Sequence, residues 1–271
     1  LAMLLSAPSE RASVVVTLAG SAALVLVAGC SSSGSAGSPE SSTATNRVEW
    51  SYSGATGPEN WASLSPDFAT CGSGKEQSPI DIVNPKQTGN PNPVVAYTAT
   101  QATVVNSGHD LDMLSPPGNK MTVNGAAFEV EEAHIHTPAE TLLNGKRFDG
   151  EIHVKQVNAD HKYSVFTLFV TTGAANAAWQ PFIEAADVAV GATGEKISIN
   201  WGQLFPTAPR ATIQYPGSLT TPPCTEGVSW LVDPQPITMS QSQLDALRAV
   251  YNNNDRPVQP LNGRTITQDV K

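Results

Sequence analysis

Glu132-Ala133-His134-Ile135-His136-Thr137-Pro138-Ala139-Glu140, with Glu151-Ile152-His153-Val154 a short way downstream, decides how the rest of the chain is read. Alternate side chains of a β-strand share a face, so His134 and His136 project together, close enough to hold one ion. Taken alone, the pair would suit a solvated surface strand equally well. His153, on a second strand-like run, changes the reading. Three neutral imidazoles around zinc leave one tetrahedral position open for water, the arrangement of a catalytic site rather than a structural one.

Outward from these two strands, β-branched and aromatic runs recur at 94–97, 102–105, 121–123, 128–130, 152–157, 163–170, 211–215 and 228–232. Gly, Pro and Asn clusters separate them. The pattern predicts a mainly β fold: a large, twisted, mostly antiparallel central sheet with a few short peripheral helices. The run 163–170 is apolar on both faces, as a central strand should be. Ser240 and Gln243 have capping-box spacing ahead of Leu244, Leu247 and Tyr251, which predicts a helix there; a second is expected over 177–188.

The chain has 271 residues and 40% hydrophobic content, enough for a sizeable core, and a net charge of −9. No basic patch with interleaved aromatics is present, which sets nucleic-acid binding aside. Residues 1–30 read as an export signal: Arg11, apolar runs at 14–18 and 22–28, then Val27-Ala28-Gly29-Cys30. Small residues directly before a cysteine resemble a bacterial lipobox, with Cys30 lipidated. A transmembrane helix is the competing reading, weakened by Gly20-Ser21 inside an already short run. Residues 31–47, rich in Ser, Gly, Ala and Thr, read as a flexible tether. If Cys30 carries lipid, Cys71 and Cys224 remain, and in an exported protein they read as one disulfide rather than two buried thiols.

From Trp50 onward, several separated motifs resemble the α-class carbonic anhydrases in their bacterial form. They are Trp50-Ser51-Tyr52, Gly57-Pro58-Glu59-Asn60-Trp61, Gln77-Ser78-Pro79-Ile80-Asp81-Ile82, Asn106-Ser107-Gly108-His109, the two histidine strands, Tyr215 to Pro223, and Arg256-Pro257-Val258-Gln259-Pro260. The resemblance implies an α-carbonic anhydrase catalytic domain over 48–271, binding one zinc per chain through His134, His136 and His153. It implies reversible hydration of carbon dioxide to bicarbonate and a proton on a zinc-bound hydroxide. Glu140 and Thr220 would orient that hydroxide. His109 would shuttle the proton, an imidazole with a reference pKa of about 6.5 being suited to both directions. Glu151 would hold the third ligand from behind. The carbon dioxide pocket would draw on Val165, Leu219, Thr221, Val228 and Trp230. Sulfonamide-type anionic inhibitors are expected to bind. Contact with a membrane is expected only through the anchor at Cys30, on the outer face of the cell membrane or in the periplasm.

Certain residues depart from the family pattern. Glu132 stands where glutamine is usual, on the ligand face, adding negative charge beside Glu151. Ala133 and Ile135 replace aromatic residues on the opposite face, and Thr141 replaces a histidine at what reads as a surface position. Lys155 takes a place in the carbon dioxide pocket that is usually apolar, and is expected to snorkel to the mouth or to pair with a carboxylate such as Glu132. His134-x-His136-x-x-x-Glu140 also has the ligand spacing of a cupin's first motif, with Glu140 then a ligand. The residues before His153 lack the glycine-bracketed proline that a cupin's second motif needs. A non-catalytic binding module of the same fold is the other alternative, disfavoured because all three histidines, Glu140 and Thr220 are present.

Overall fold

A computed structural model of the chain describes residues 48–89, 92–205 and 211–269. The export segment, the tether and Cys30 lie outside them. The strands are β1 (Asp81–Ile82), β2 (Lys86–Gln87), β3 (Val94–Ala96), β4 (Ala99–Asn106), β5 (Leu111–Leu114), β6 (Lys120–Val123) and β7 (Ala126–His136). They continue with β8 (Leu142–Leu143), β9 (Gly150–Val157), β10 (Tyr163–Thr172), β11 (Thr193–Asn200), β12 (Ile213–Ser218), β13 (Glu226–Met239) and β14 (Thr267–Gln268). Five short α-helices accompany them: α1 (Trp61–Leu64), α2 (Thr70–Ser73), α3 (Gln180–Glu184), α4 (Trp201–Leu204) and α5 (Gln241–Val250). None is long and apolar enough to cross a membrane.

Twelve strands form one mixed sheet in the order β11-β4-β5-β7-β9-β10-β13-β12-β14-β2, with β6 also on β7 and β3 on β6. Most pairs are antiparallel, as expected, but β10 with β13 and β14 with β2 are parallel. β10 lies in the interior of the order, and both its faces are buried: Leu168 and Val170 on one, Val165, Thr167 and Phe169 on the other. The first face packs with Ala133, Ile135, Ile152 and Val154 against Trp179, Phe182, Trp201, Leu204, Leu244 and Leu247. The second carries a separate core around Phe148, Tyr215, Trp230 and Val232. The histidines belong to this second side.

A β-bulge places them there. In the pairing of β7 with β9 the register slips between Val130 and Glu132, so Glu131 is an extra residue. Val130 packs in the same core as Ala133 and Ile135, although it stands three and five positions before them, offsets that strict alternation sends to opposite faces. Strict alternation running through Glu131 would put His134 and His136 on the face of Val130. Because Glu131 is bulged out of the ladder, they fall on the opposite face, away from that core.

Helix α5 starts as its sequence predicts: Ser240 Oγ accepts from Gln243 N–H, and Gln243 Oε1 accepts from Ser240 N–H. The helix expected over 177–188 shrinks to α3, five residues long. Beyond it the chain is drawn away, because the Val188 carbonyl accepts a hydrogen bond from Asn106 Nδ2 at the end of β4. Strand β11 was missed: it is a polar, largely exposed edge strand and offers no apolar run to read. β13 runs on past 232 through Pro234 and Pro236, residues that argue against a strand in sequence.

Candidate metal centre and its cavity

The register of β7 and β9 sets His134 directly opposite His153, with Glu132 opposite Lys155 and His136 opposite Glu151. One donor nitrogen from each of the three histidines lies within 4.8 Å of the others. Each ring is held from behind by a different acceptor. His134 Nδ1–H donates to Glu132 Oε2 at 2.9 Å, His136 Nδ1–H to the Asn254 carbonyl at 2.6 Å, and His153 Nε2–H to Glu151 Oε1 at 3.0 Å. These bonds fix the tautomers. The remaining ring nitrogens, His134 Nε2, His136 Nε2 and His153 Nδ1, turn toward one another.

Two of those nitrogens, His136 Nε2 and His153 Nδ1, are only 3.1 Å apart. Fully buried Glu140 adds Oε2, which has no hydrogen-bond partner among the described residues and lies 3.6 Å from His136 Nε2. A buried cluster of acceptors without donors is repulsive unless a cation sits among them. Three imidazole nitrogens suit zinc among the common divalent metals. The residues present therefore fit such an ion.

Electrostatics separates the three histidines. Burial, then the neighbours His153 and His134, push His136 well down; burial and His134 do the same to His153, so both stay neutral. For His134 burial also acts downward, but the charge and hydrogen bond of Glu132, joined by Asp110 and Asp112, outweigh it and push it up to about 10. Burial, then the charge of Glu151, raises Glu140; the Arg256 N–H and the Thr220 hydroxyl pull the other way. Burial raises Glu151, against the Thr141 N–H that its Oε2 accepts at 2.6 Å.

A cavity of 1020 Å³ opens above the histidines. His109, Glu132, His134, His153, Lys155, Val165, Leu219, Thr220, Thr221 and Trp230 all line it. Part of its wall is a single cross-strand row, since Glu132 pairs with Lys155, Lys155 with Val165, and Val165 with Trp230. Trp230 is fixed by its indole N–H on the Ser218 carbonyl, 2.9 Å, and meets the His153 ring edge-on at 4.9 Å. His136, Glu140 and Glu151 are buried behind the wall. Val228 is not on it: this residue, expected in the pocket, packs in the core with Trp230 and Val232.

Further expectations need correction. Lys155 does snorkel, but its Nζ pairs with Glu131 Oε2 at 3.0 Å and lies 4.8 Å over the Tyr163 ring. Glu132 is its register partner, yet the Glu132 carboxylate is already engaged by His134. Thr141 is fully buried rather than at the surface. Glu140, considered as a cupin-type ligand, instead accepts the Arg256 N–H through Oε1 at 2.7 Å.

Some contributors left no side-chain signal. Asn254 serves His136 through its backbone carbonyl. Arg256, quoted above only as part of a motif, is buried; its guanidinium donates to the carbonyls of Ser78 and Cys71 while its N–H holds Glu140. Trp50 stacks flat on the His109 ring, centroids 3.6 Å apart. Cys71 and Cys224 form a disulfide beside the Thr220 loop.

A family model described as eukaryotic-type carbonic anhydrase matches residues 56–270. A carbonic anhydrase of Pectobacterium carotovorum is 36% identical over 231 residues, covering 83% of this chain and 93% of that protein. Among solved structures, the α-carbonic anhydrase of Photobacterium profundum aligns with TM-score 0.76 at 36% identity, covering 81% of this chain and 100% of the other. The α-carbonic anhydrase of Thermovibrio ammonificans, in complex with the inhibitor sulfanilamide, aligns with TM-score 0.76 at 35% identity, over 81% and 99% of the two chains.

Proposed function

The chain belongs to the eukaryotic-type, or α, carbonic anhydrase family, and from that premise we propose that it catalyses reversible hydration of carbon dioxide to bicarbonate and a proton, with one zinc held by His134, His136 and His153. The observation that carries the reading is the convergence of three ring nitrogens, each ring locked by its own acceptor, where His134 and His153 line an open cavity and His136 lies buried behind them. Zinc would supply Lewis acidity there, bringing the pKa of a water in its open position to about 7.

The chain's own residues do the rest. Glu132, Glu151 and the Asn254 carbonyl keep the three imidazoles in the tautomers a metal needs. A nearby dication favours the ionised form of Glu140. Held through Oε1 by Arg256 N–H, Glu140 then offers its unpartnered Oε2 to the Thr220 hydroxyl proton. Thr220 Oγ1 is thereby left as an acceptor toward the reacting water, directing its lone pair at the substrate. Val165, Leu219 and Trp230 give neutral carbon dioxide an apolar surface, with Thr221 at its edge. His109, stacked on Trp50, takes the released proton to solvent. The sulfanilamide complex of the Thermovibrio ammonificans relative supports a sulfonamide in the same cavity. The sequence before residue 48 supports export and a lipid anchor at Cys30, which would hold the domain on a tether at a membrane surface.

The test is zinc content per chain together with proton release on mixing with dissolved carbon dioxide, with and without a sulfonamide, beside His153→Ala. Stoichiometric zinc and fast, sulfonamide-sensitive release, both lost in His153→Ala, are expected. Stoichiometric zinc without hydration would overturn the catalytic reading.

A further inference from the structure

Charge is unevenly spread over the cavity wall. Glu49, Asp67, Asp110, Asp112, Glu131 and Glu132 all line it, against one ammonium, Lys155. The carboxylates arrive on four separate segments: the approach to Trp50, the turn Pro66–Phe68, the shuttle turn running into β5, and the bulge of β7. Negative charge therefore belongs to the cavity and not to one strand. It also reaches the floor, where Glu132 lies 2.9 Å from His134 Nδ1. Lys155 offsets one of these charges, its Nζ standing 3.0 Å from Glu131 Oε2.

We propose that this cavity discriminates by charge, admitting neutral carbon dioxide while holding small monovalent anions off the metal centre, with Glu49, Asp67 and Glu131 among its specificity-determining residues; the proposal rests on the function inferred above for the same site. A concave wall of one sign focuses its field into the space it encloses. A molecule without net charge crosses that field unopposed, whereas an anion is repelled over about 10 Å at 0.1 M ionic strength. An added screening salt should therefore tighten anion binding, the reverse of what a cationic cavity shows.

The experiment is calorimetric titration of the zinc-loaded full chain with thiocyanate at low ionic strength and again in concentrated sodium sulfate. It is repeated on the triple variant Glu49→Gln, Asp67→Asn, Glu131→Gln and on Lys155→Met. Expected are thiocyanate binding that tightens with salt in the wild type and binding about 10-fold tighter at low salt in the triple variant. The triple variant should also lose most of the salt dependence, and Lys155→Met should bind about 3-fold more weakly. Equal affinity in wild type and triple variant, or wild-type binding that weakens with salt, would overturn the proposal. Carbon dioxide hydration read on the same samples separates the two claims. An inactive wild type counts against the enzyme reading, while an active enzyme with unaltered thiocyanate binding counts against charge discrimination alone.

Discussion

Glu132 accepts the His134 Nδ1 proton and, with Asp110 and Asp112, raises that imidazole to about 10. Without a metal, a proton occupies the very nitrogen that must bind one. The sign follows directly: below about pH 10 metal entry displaces that proton, so affinity falls as pH falls. Replacing Glu132 by glutamine keeps an acceptor but removes the charge. Protons released per zinc bound at pH 7 should then drop by about one relative to wild type, as read by titration in buffers of different ionisation enthalpy. An unchanged proton count would show that Glu132 does not set the protonation of His134. The three histidines and Glu151 were legible as residues because their spacing matches strand alternation. Asn254 was not, because it acts through a carbonyl that every residue possesses. The Lys155 partner was misassigned for a physical reason: register predicts Glu132, but a carboxylate already bound to an imidazole yields to the half-exposed neighbour supplied by the bulge.

At the scale of an element, the bulge at Glu131 is what makes β7 a ligand strand. Val130 and the pair Ala133 and Ile135 face one core, while His134 and His136 face the other way. Deleting Glu131 closes the bulge and leaves Val130 next to Glu132, so His134 and His136 keep the face opposite Val130 and their pairing with β9. The expected outcome is stoichiometric zinc, measured per chain, in the deletion variant and in Glu131→Gln. Inserting one alanine between Glu132 and Ala133 instead reverses the phase of both ligands and should abolish zinc binding. Zinc kept by the insertion variant would mean that the register has another anchor. The capping box of α5 was readable because both its partners are local in sequence. β11 and the end of β13 were not readable, since an edge strand and a strand crossing prolines take their conformation from the neighbours they pair with.

For the molecule as a whole, the sheet joins segments far apart in the chain, and the disulfide does the same. Cys71 and Cys224 are separated by 153 residues, and Cys224 follows directly on the loop that bears Thr220 and Thr221. Arg256 binds the Cys71 carbonyl and Glu140 together, so this cross-link also braces the site. Closing so long a loop restricts the unfolded chain, and on chain-entropy grounds the double variant Cys71→Ala, Cys224→Ala should lose about 4 to 5 kcal/mol of stability. Denaturant unfolding of the zinc-free forms measures it without the contribution of bound metal. A loss under about 1 kcal/mol would show that the native state gives back what the loop entropy supplies.

By itself the sequence determined the chemistry available: three imidazoles at strand spacing, two acids to hold or orient, a threonine, and a mainly β chain to carry them. Those readings follow from local periodicity and residue type, which the chain carries in one dimension. The tertiary structure decided which face those imidazoles occupy, which carbonyl and which carboxylate lock each ring, that Val228 and Thr141 are buried, and that six carboxylates from four segments share one cavity. Such facts depend on register, on one inserted residue, and on contacts between positions more than a hundred residues apart, and local sequence encodes none of them.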